Sequence, residues 1–484
     1  MVRPDPRSLI GPADRWAWLI AALMIKGLMF VYFLRHNSAS AFGHHFAIDF
    51  GDTWSYLDPI ESLIEHGRYK PDLRMPGYGM VYWFLRAVTG PDGAKNALVI
   101  LQWLIASVAL YSAARTAHYI TGRSRAFVVT FILLGITTFH SAFDPQLATE
   151  SFCASALIIC MHVLFIAART DRRPWYLLAG ILMAWCVFMR PLTGVALVVV
   201  AAGLILDRAA PWRARMRTTL LFVLPFVLLD AAWTARNAVV NHTFAPLTNG
   251  LFYSFYVGSP NEAATKFVQL YGGNTIFWDE RAEIRWFGTR NLGDPWTSST
   301  PRGPAPPDWI LTADFNMDSL RQVEHLMGRA FDVDVDSTER ARCSAEVVRR
   351  LDAYRRSAVQ VHPFRTQVWA RAVTTWNYLW QHGSASIFFM PWHLSSTGAK
   401  VMKVLQGGIF LSVVFIGTLA AFRGMLDRRT SFLVRTFHVV SLSGLFVVPL
   451  VFRLTEYRYL VPIFPLLAIC AITLVLRPQP SQVT

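Results

Sequence analysis

The chain has 484 residues, 54% of them hydrophobic and only 16% charged, where a soluble chain carries about 25% charged residues. The apolar residues fall in long blocks separated by Arg-rich turns, which excludes an ordinary soluble domain and predicts a multi-spanning membrane protein. The net charge of +15 is scattered as Arg over many short turns, so it fits basic cytoplasmic turns and an anionic lipid or phosphate partner; no nucleic-acid partner is expected.

In chain order, the first expected span runs from Trp16 to Leu34. Arg3, Arg7 and Arg15 precede it, so its start is expected in the cytoplasm, and no small-residue cleavage site follows it. Lys26 interrupts this span, and a structural role and a place near a lipid phosphate both stay open for it. A polar stretch follows from Ile48 to Tyr78, carrying Asp52, Asp58, Glu61 and Glu65, then Arg74 beside Pro76-Gly77. Tyr78 to Val88 is too short to cross upright and reads as a juxtamembrane helix.

Further spans are expected at Ala97 to Ala117, at Phe127 to Phe143, and from Glu150 to Ile166. The run from Trp175 to Leu206 is too long for one upright helix and should turn at MRPLTG, residues 189 to 194. The next span, Leu220 to Trp233, exits at TARN. A large polar region, 242–403, shows helix signals: Asp336 and Glu339 as a capping pair, and Val368, Ala372, Trp376 and Leu379 at helical spacing, as in an interface helix. The Pro-rich 300–309 reads as a rigid connector. Leu405 to Phe422, Phe437 to Phe452 and Tyr459 to Leu476 close the chain.

The expected fold is therefore an all-α polytopic bundle of about ten spans with both termini in the cytoplasm. Its parts are an N-terminal bundle, 1–241, with a first outer loop at 35–96, a mostly helical extracytoplasmic domain at 242–403, and C-terminal spans at 404–484. Basic turns then fall inside and carboxylate-bearing turns outside.

That arrangement puts Asp52, Asp58, Arg74, Asp144, Glu150, Arg190, Arg236, His242, Arg453, Glu456 and Arg458 at one level. Arginines fork onto phosphate oxygens, and a carboxylate accepts the proton of an incoming hydroxyl. Structural readings stand beside these: Asp52 as the cap of a helix starting at Trp54, Asp58 as a turn residue, Asp144 and Glu150 as loop and helix-start residues, the arginines as interface anchors. His140, His242 and His362 show no metal-ligand spacing. Four of the five cysteines, Cys153, Cys160, Cys186 and Cys470, lie in apolar segments, and no disulfide framework is visible.

Six motifs in order resemble the GT-C glycosyltransferases, polytopic enzymes that use polyprenyl-phosphate-linked sugars. They are GDTWSYLD (51–58), GRYKPDLRMPGYGMVYWFLRAVTG (67–90), the segment from Asp144 to Glu150, FMRPLTG (188–194), WTARNAVVNHTFAPLTNG (233–250) and EYRYLVPIFPLLAI (456–469). The likeness is greatest to the branch of the protein O-mannosyltransferases, the aminoarabinose lipid A transferases and the Rgt-type lipopolysaccharide core transferases.

The resemblance implies a GT-C-type bundle and sugar transfer from a polyprenyl-phosphate-linked donor to a lipid, glycan or protein acceptor, at the periplasmic face of a bacterial inner membrane. It makes Asp52 the catalytic acid position and Arg74 and Arg458 phosphate contacts; Asp144, Glu150, Arg190, Arg236, Arg453 and Glu456 join them as expected substrate-binding residues. A divalent cation such as Mg or Mn is compatible with it, though nothing in the sequence requires one. Thr53 stands where the mannosyltransferases have a second acid, and Arg74-Met75-Pro76 where the aminoarabinose transferases have Lys-Pro-Pro, so neither activity is assigned. A flippase or transporter of lipid-linked sugars, and an envelope scaffold, are the alternatives.

Overall fold

The computed structural model describes residues 12–36, 46–49, 51–70, 74–247, 258–273, 307–382 and 396–476. The expected basic flank at Arg3 and Arg7, and most of the 300–309 connector, lie outside them. Among the described residues the protein is helical, with two isolated β-bridges and no sheet. Six helices are long and apolar enough to cross a membrane: Arg15–Arg35, Gly93–Thr121, Thr149–Thr170, Trp212–Val240, Thr397–Leu426 and Phe432–Phe452. Ser124–Ile136, Arg173–Met189, Pro191–Leu206 and Phe464–Val475 are shorter apolar helices. The chain is thus an all-α, multi-pass membrane protein.

It divides into two units. The first comprises 1–250, 386–445 and 458–484, the second 251–385 and 446–457. The second unit therefore takes in a short late segment as well as most of the long polar region.

In the first unit the helices are α1 (Pro12–His36), α2 (Thr53–His66), α3 (Gly77–Thr121), α4 (Ser124–Ile136), α5 (Thr138–Ser141), α6 (Thr149–Thr170), α7 (Arg173–Met189), α8 (Gly194–Leu206) and α9 (Trp212–Val240). The α6 helix is the axis. Its apolar stretch is 83% buried, against 22% for α1 and 17% for α9, which places α1 and α9 at the rim. It packs on α3 and α7, and α7 packs on α9. Close approach there depends on Gly180, whose Cα faces the backbone of Phe222 with no room for a Cβ. Phe464–Val475 lies against α3, α4 and Thr397–Leu426.

Three breaks set the site. The α3 helix is two helices joined at Gly90, where φ is +74° and Pro91 restarts the chain; residues 77–89 form a separate arm, as the short Tyr78–Val88 run predicts. The α4 helix stops at Ile136, short of the expected Phe143, because Thr137 is extended. Gln406 Oε1 accepts from both the backbone nitrogen and the hydroxyl of Thr138, satisfying the interrupted backbone from another helix. The third break follows α7, where Arg190 is extended and Pro191–Thr193 form one 3-10 turn, at the expected position.

By contrast α9 continues through the expected exit at Trp233 to Val240, so Arg236 is helical; no breaker intervenes before Asn241, and buried Asn237 donates to the carbonyl of Ala245.

The second unit has its own core, built from residues such as Phe267, Ile310, Phe315, Leu320, Val323, Met327, Val347 and Leu351. Its helices begin at defined caps. Ser259 accepts from Glu262, Asn316 closes a capping box with Ser319, and Asp336 accepts from the backbone of Thr338 and Glu339. The Glu339 side chain turns instead to Arg329 and Arg342, and the helix runs on to Val361. Residues 365–382 form one π–α–π helix. On it Val368 and Trp376 are exposed while Leu379 is buried.

Candidate active site

Two loops of the first unit are tied together by hydrogen bonds to the backbone. Ile48 N donates to Pro145 O (2.9 Å), and Leu147 N donates to Ile48 O (2.9 Å). Thr53 Oγ1 donates to Leu147 O (2.9 Å). Beneath them fully buried Gln102 accepts from Tyr78 Oη (2.8 Å) and donates to the carbonyls of Asp144 (2.8 Å) and Gln146 (2.8 Å). This stitching sets Asp52, at the start of α2, beside Glu150, in the first turn of α6.

Asp52 occupies the N-cap position of α2, which starts at Thr53, yet its side chain makes no capping bond. Ser55 satisfies that turn instead, its backbone nitrogen and its Oγ (2.7 Å) both donating to Asp52 O. The carboxylate is thereby left to face arginines. Its Oδ2 is 2.7 Å from Arg458 Nη1 and 3.1 Å from Arg74 Nη2. Arg74 also donates from Nε to Ser55 Oγ (3.1 Å) and lies over the Tyr56 ring. Tyr69 Oη holds the Arg74 carbonyl (3.0 Å), and Gly67, in left-handed backbone, turns the chain back after α2.

Glu150 is fully buried and ion-pairs with Arg190 through Oε1, with Arg458 Nε 3.7 Å from the same oxygen. The break after α7 aims Arg190 inward, where Nε donates to Thr149 Oγ1 (2.9 Å) and the guanidinium lies 5.0 Å from the centroid of Tyr459. Three guanidiniums thus face two carboxylates. Burial alone would raise the Asp52 carboxyl, but Arg458 and then Arg74 outweigh it and hold it below its ordinary range, so it stays ionised.

The expected residues divide as follows. Asp52, Arg74, Glu150, Arg190 and Arg458 come together. Asp144 does not join them: it is 1% exposed, and its Oδ2 pairs with Lys26 Nζ (2.9 Å), which also reaches Ser141 Oγ (3.0 Å). Ser151 Oγ donates to the other oxygen of Asp144 (2.7 Å). That contact gives Lys26 its structural role and leaves Asp144 inside the wall below the cluster. Arg236 stands at the flank, over the rings of Trp233 and Tyr69. Arg453 and Glu456 belong to the second unit, where Arg453 donates to Gln367 Oε1 (2.8 Å). Asp58 and His242 are exposed.

Sequence reasoning passed over Tyr56, Thr149, Tyr459 and Gln102. Tyr459 adjoins Arg458, but nothing in a linear pattern says which arginine its ring will meet.

The donor set does not suit a metal ion. Among the described residues no group of three or more His, Cys, Asp and Glu is placed to hold one, and both carboxylates of the cluster already face guanidiniums that a dication would have to displace.

No family model and no curated protein matches the chain. Among solved structures it is similar to the archaeal oligosaccharyltransferase AglB from Archaeoglobus fulgidus, in complex with an inhibitory peptide and a dolichol-phosphate. The TM-score is 0.47 at 12% identity over 95% of this chain and 50% of that one, so this chain spans about half the length of that protein.

Proposed function

We propose that this protein is a GT-C-type glycosyltransferase that moves a sugar from a polyprenyl-phosphate-linked donor to a hydroxyl of a lipid, glycan or protein acceptor. The motifs from Asp52 to Arg458 support this reading, and one observation carries it: the Asp52 carboxylate is held between Arg74 and Arg458, with Arg190 beside them on Glu150. A carboxylate among excess guanidiniums occupies the place a donor phosphate would take. When the phosphate enters, Arg74 and Arg458 turn their N–H groups to its oxygens. Asp52 loses two cationic partners and becomes more basic at the moment an acceptor must be deprotonated.

The acceptor oxygen passes its proton to Asp52 and attacks the anomeric carbon. The bond from that carbon to the phosphate oxygen breaks, and the phosphate leaves with the electron pair, stabilised by the arginines. One displacement inverts the anomeric centre. No step needs a metal. We place the reaction at the periplasmic face of a bacterial inner membrane, with ten crossings, on the basis of the alternating basic turns.

The test is transfer from a radiolabelled polyprenyl-phosphate sugar by protein purified into lipid. Asp52→Asn keeps the shape and removes the base, and its kcat should fall by about a hundredfold or more. Near-normal transfer by a folded Asp52→Asn protein would remove Asp52 from the chemistry.

A further inference from the structure

A second cationic cluster lies at the far end of the same helices. The rise of an α-helix puts Glu150 and Arg169 about 29 Å apart along α6, close to the hydrocarbon thickness of a bilayer, about 30 Å. There Arg115, near the end of α3, is only 5% exposed. Its Nη2 donates to Tyr119 Oη (3.1 Å) and its guanidinium carbon lies 5.1 Å from the centroid of that ring. Arg169 takes the same ring at 4.2 Å and donates to the Tyr119 carbonyl (3.3 Å). His162 stacks flat on Tyr119 at 5.4 Å, its orientation set by Thr116. Among the described residues no carboxylate pairs with Arg115, Arg123 or Arg169, and buried Nη1 of Arg115, Nδ1 of His118 and Nε of Arg123 have no hydrogen-bond partner.

Exposed arginines at a helix C-terminus are explained by the helix dipole and by the charge bias of membrane turns. A buried guanidinium is not. Tyr119 offers it a π face and a hydroxyl but no negative charge, and an uncompensated buried charge is strongly unfavourable. Every other buried cation of this unit discussed above has a carboxylate: Lys26 has Asp144, Arg190 has Glu150, Arg458 has Asp52. Among the described residues, then, nothing supplies Arg115 with a compensating anion. Forked donors from two arginines match a phosphate group, and the level of the site is that of lipid headgroups.

We propose that Arg115, Tyr119 and Arg169, with His118 and Arg123 at the margin, form a phosphate-binding site for an anionic phospholipid headgroup, at the opposite end of α6 from the Asp52 cluster.

The test is titration of the full chain in detergent with short-chain phosphatidic acid, with a zwitterionic phosphatidylcholine of the same chain length, and with inorganic phosphate, followed by native mass spectrometry and thermal unfolding. Saturable binding of phosphatidic acid should raise the melting temperature of the parent. Arg115→Gln should weaken that binding about tenfold or more, Arg169→Gln should weaken it too, and Arg115→Lys should retain part of it. Protection by inorganic phosphate as well would identify the free anion as a sufficient ligand and still support the site. Equal affinity in Arg169→Gln, a surface change that leaves the buried side chains intact, or equal protection by phosphatidylcholine, would overturn the proposal. So would undiminished binding by folded Arg115→Gln.

Discussion

At the scale of single residues, two acids of the expected set have opposite situations. The Asp52 side chain is 24% exposed, with its buried Oδ2 set between two arginines. Asp144 is sealed against Lys26, with hydroxyls of Ser141 and Ser151 completing the network. Breaking such a pair leaves one buried charge alone, whereas replacing both with apolar groups removes the desolvation penalty as well. Lys26→Met should therefore destabilise the protein by about 3–5 kcal/mol, and Lys26→Met with Asp144→Leu should recover most of that. Unfolding midpoints in detergent check the cycle. If the double variant is no more stable than the single one, the pair is not the closed structural unit its geometry describes.

At the scale of elements, the arm from Gly77 to the Gly90 kink carries the site from behind. It starts three residues after Arg74, and Gly77 touches the backbone of α7 just before Arg190. A Cβ there would lie 2.5 Å from the carbonyl carbon of Phe188, and the Gly77 carbonyl accepts from Trp185 Nε1 (3.1 Å). A methyl at this point must move either the start of the arm, which Arg74 precedes, or the end of α7, which Arg190 follows. Gly77→Ala should cost about 1–3 kcal/mol and lower transfer along with stability. Gly407→Ala is the control, because open space surrounds it in the middle of a helix; there the added methyl should be neutral or stabilise by up to about 1 kcal/mol. Thermal unfolding and donor turnover of the two variants decide it, and a Gly77→Ala protein indistinguishable from Gly407→Ala would show that the contact yields.

At the scale of the whole molecule, topology becomes testable through the cysteines. All five are buried, so an introduced thiol reports with little background. Lys70, after α2, and Arg172, between α6 and α7, are both exposed. On intact cells a membrane-impermeant maleimide should label Lys70→Cys directly and Arg172→Cys only after permeabilisation. The reverse pattern would invert the orientation and move the transfer reaction to the cytoplasm.

Much of the architecture was legible before the structure. Apolar runs located the helices, Arg190-Pro191 marked a break, and Asp336 announced a helix start. The α4 stop was hidden because Gln406, far along the chain, supplies the bonds that allow it. The same is true of the site. Residue type and the spacing of apolar runs determine height along a bundle, since burial in hydrocarbon depends on length and polarity alone. They are silent on which residues of equal height become neighbours. That was decided by packing: the stitched loops around Ile48 and Leu147, the kink at Gly90 and the turn at Arg190 bring Asp52, Arg74, Glu150, Arg190 and Arg458 together, while Lys26 takes Asp144 away. Charge pairing is a short-range interaction between segments remote in sequence, so only the tertiary structure could choose the partners.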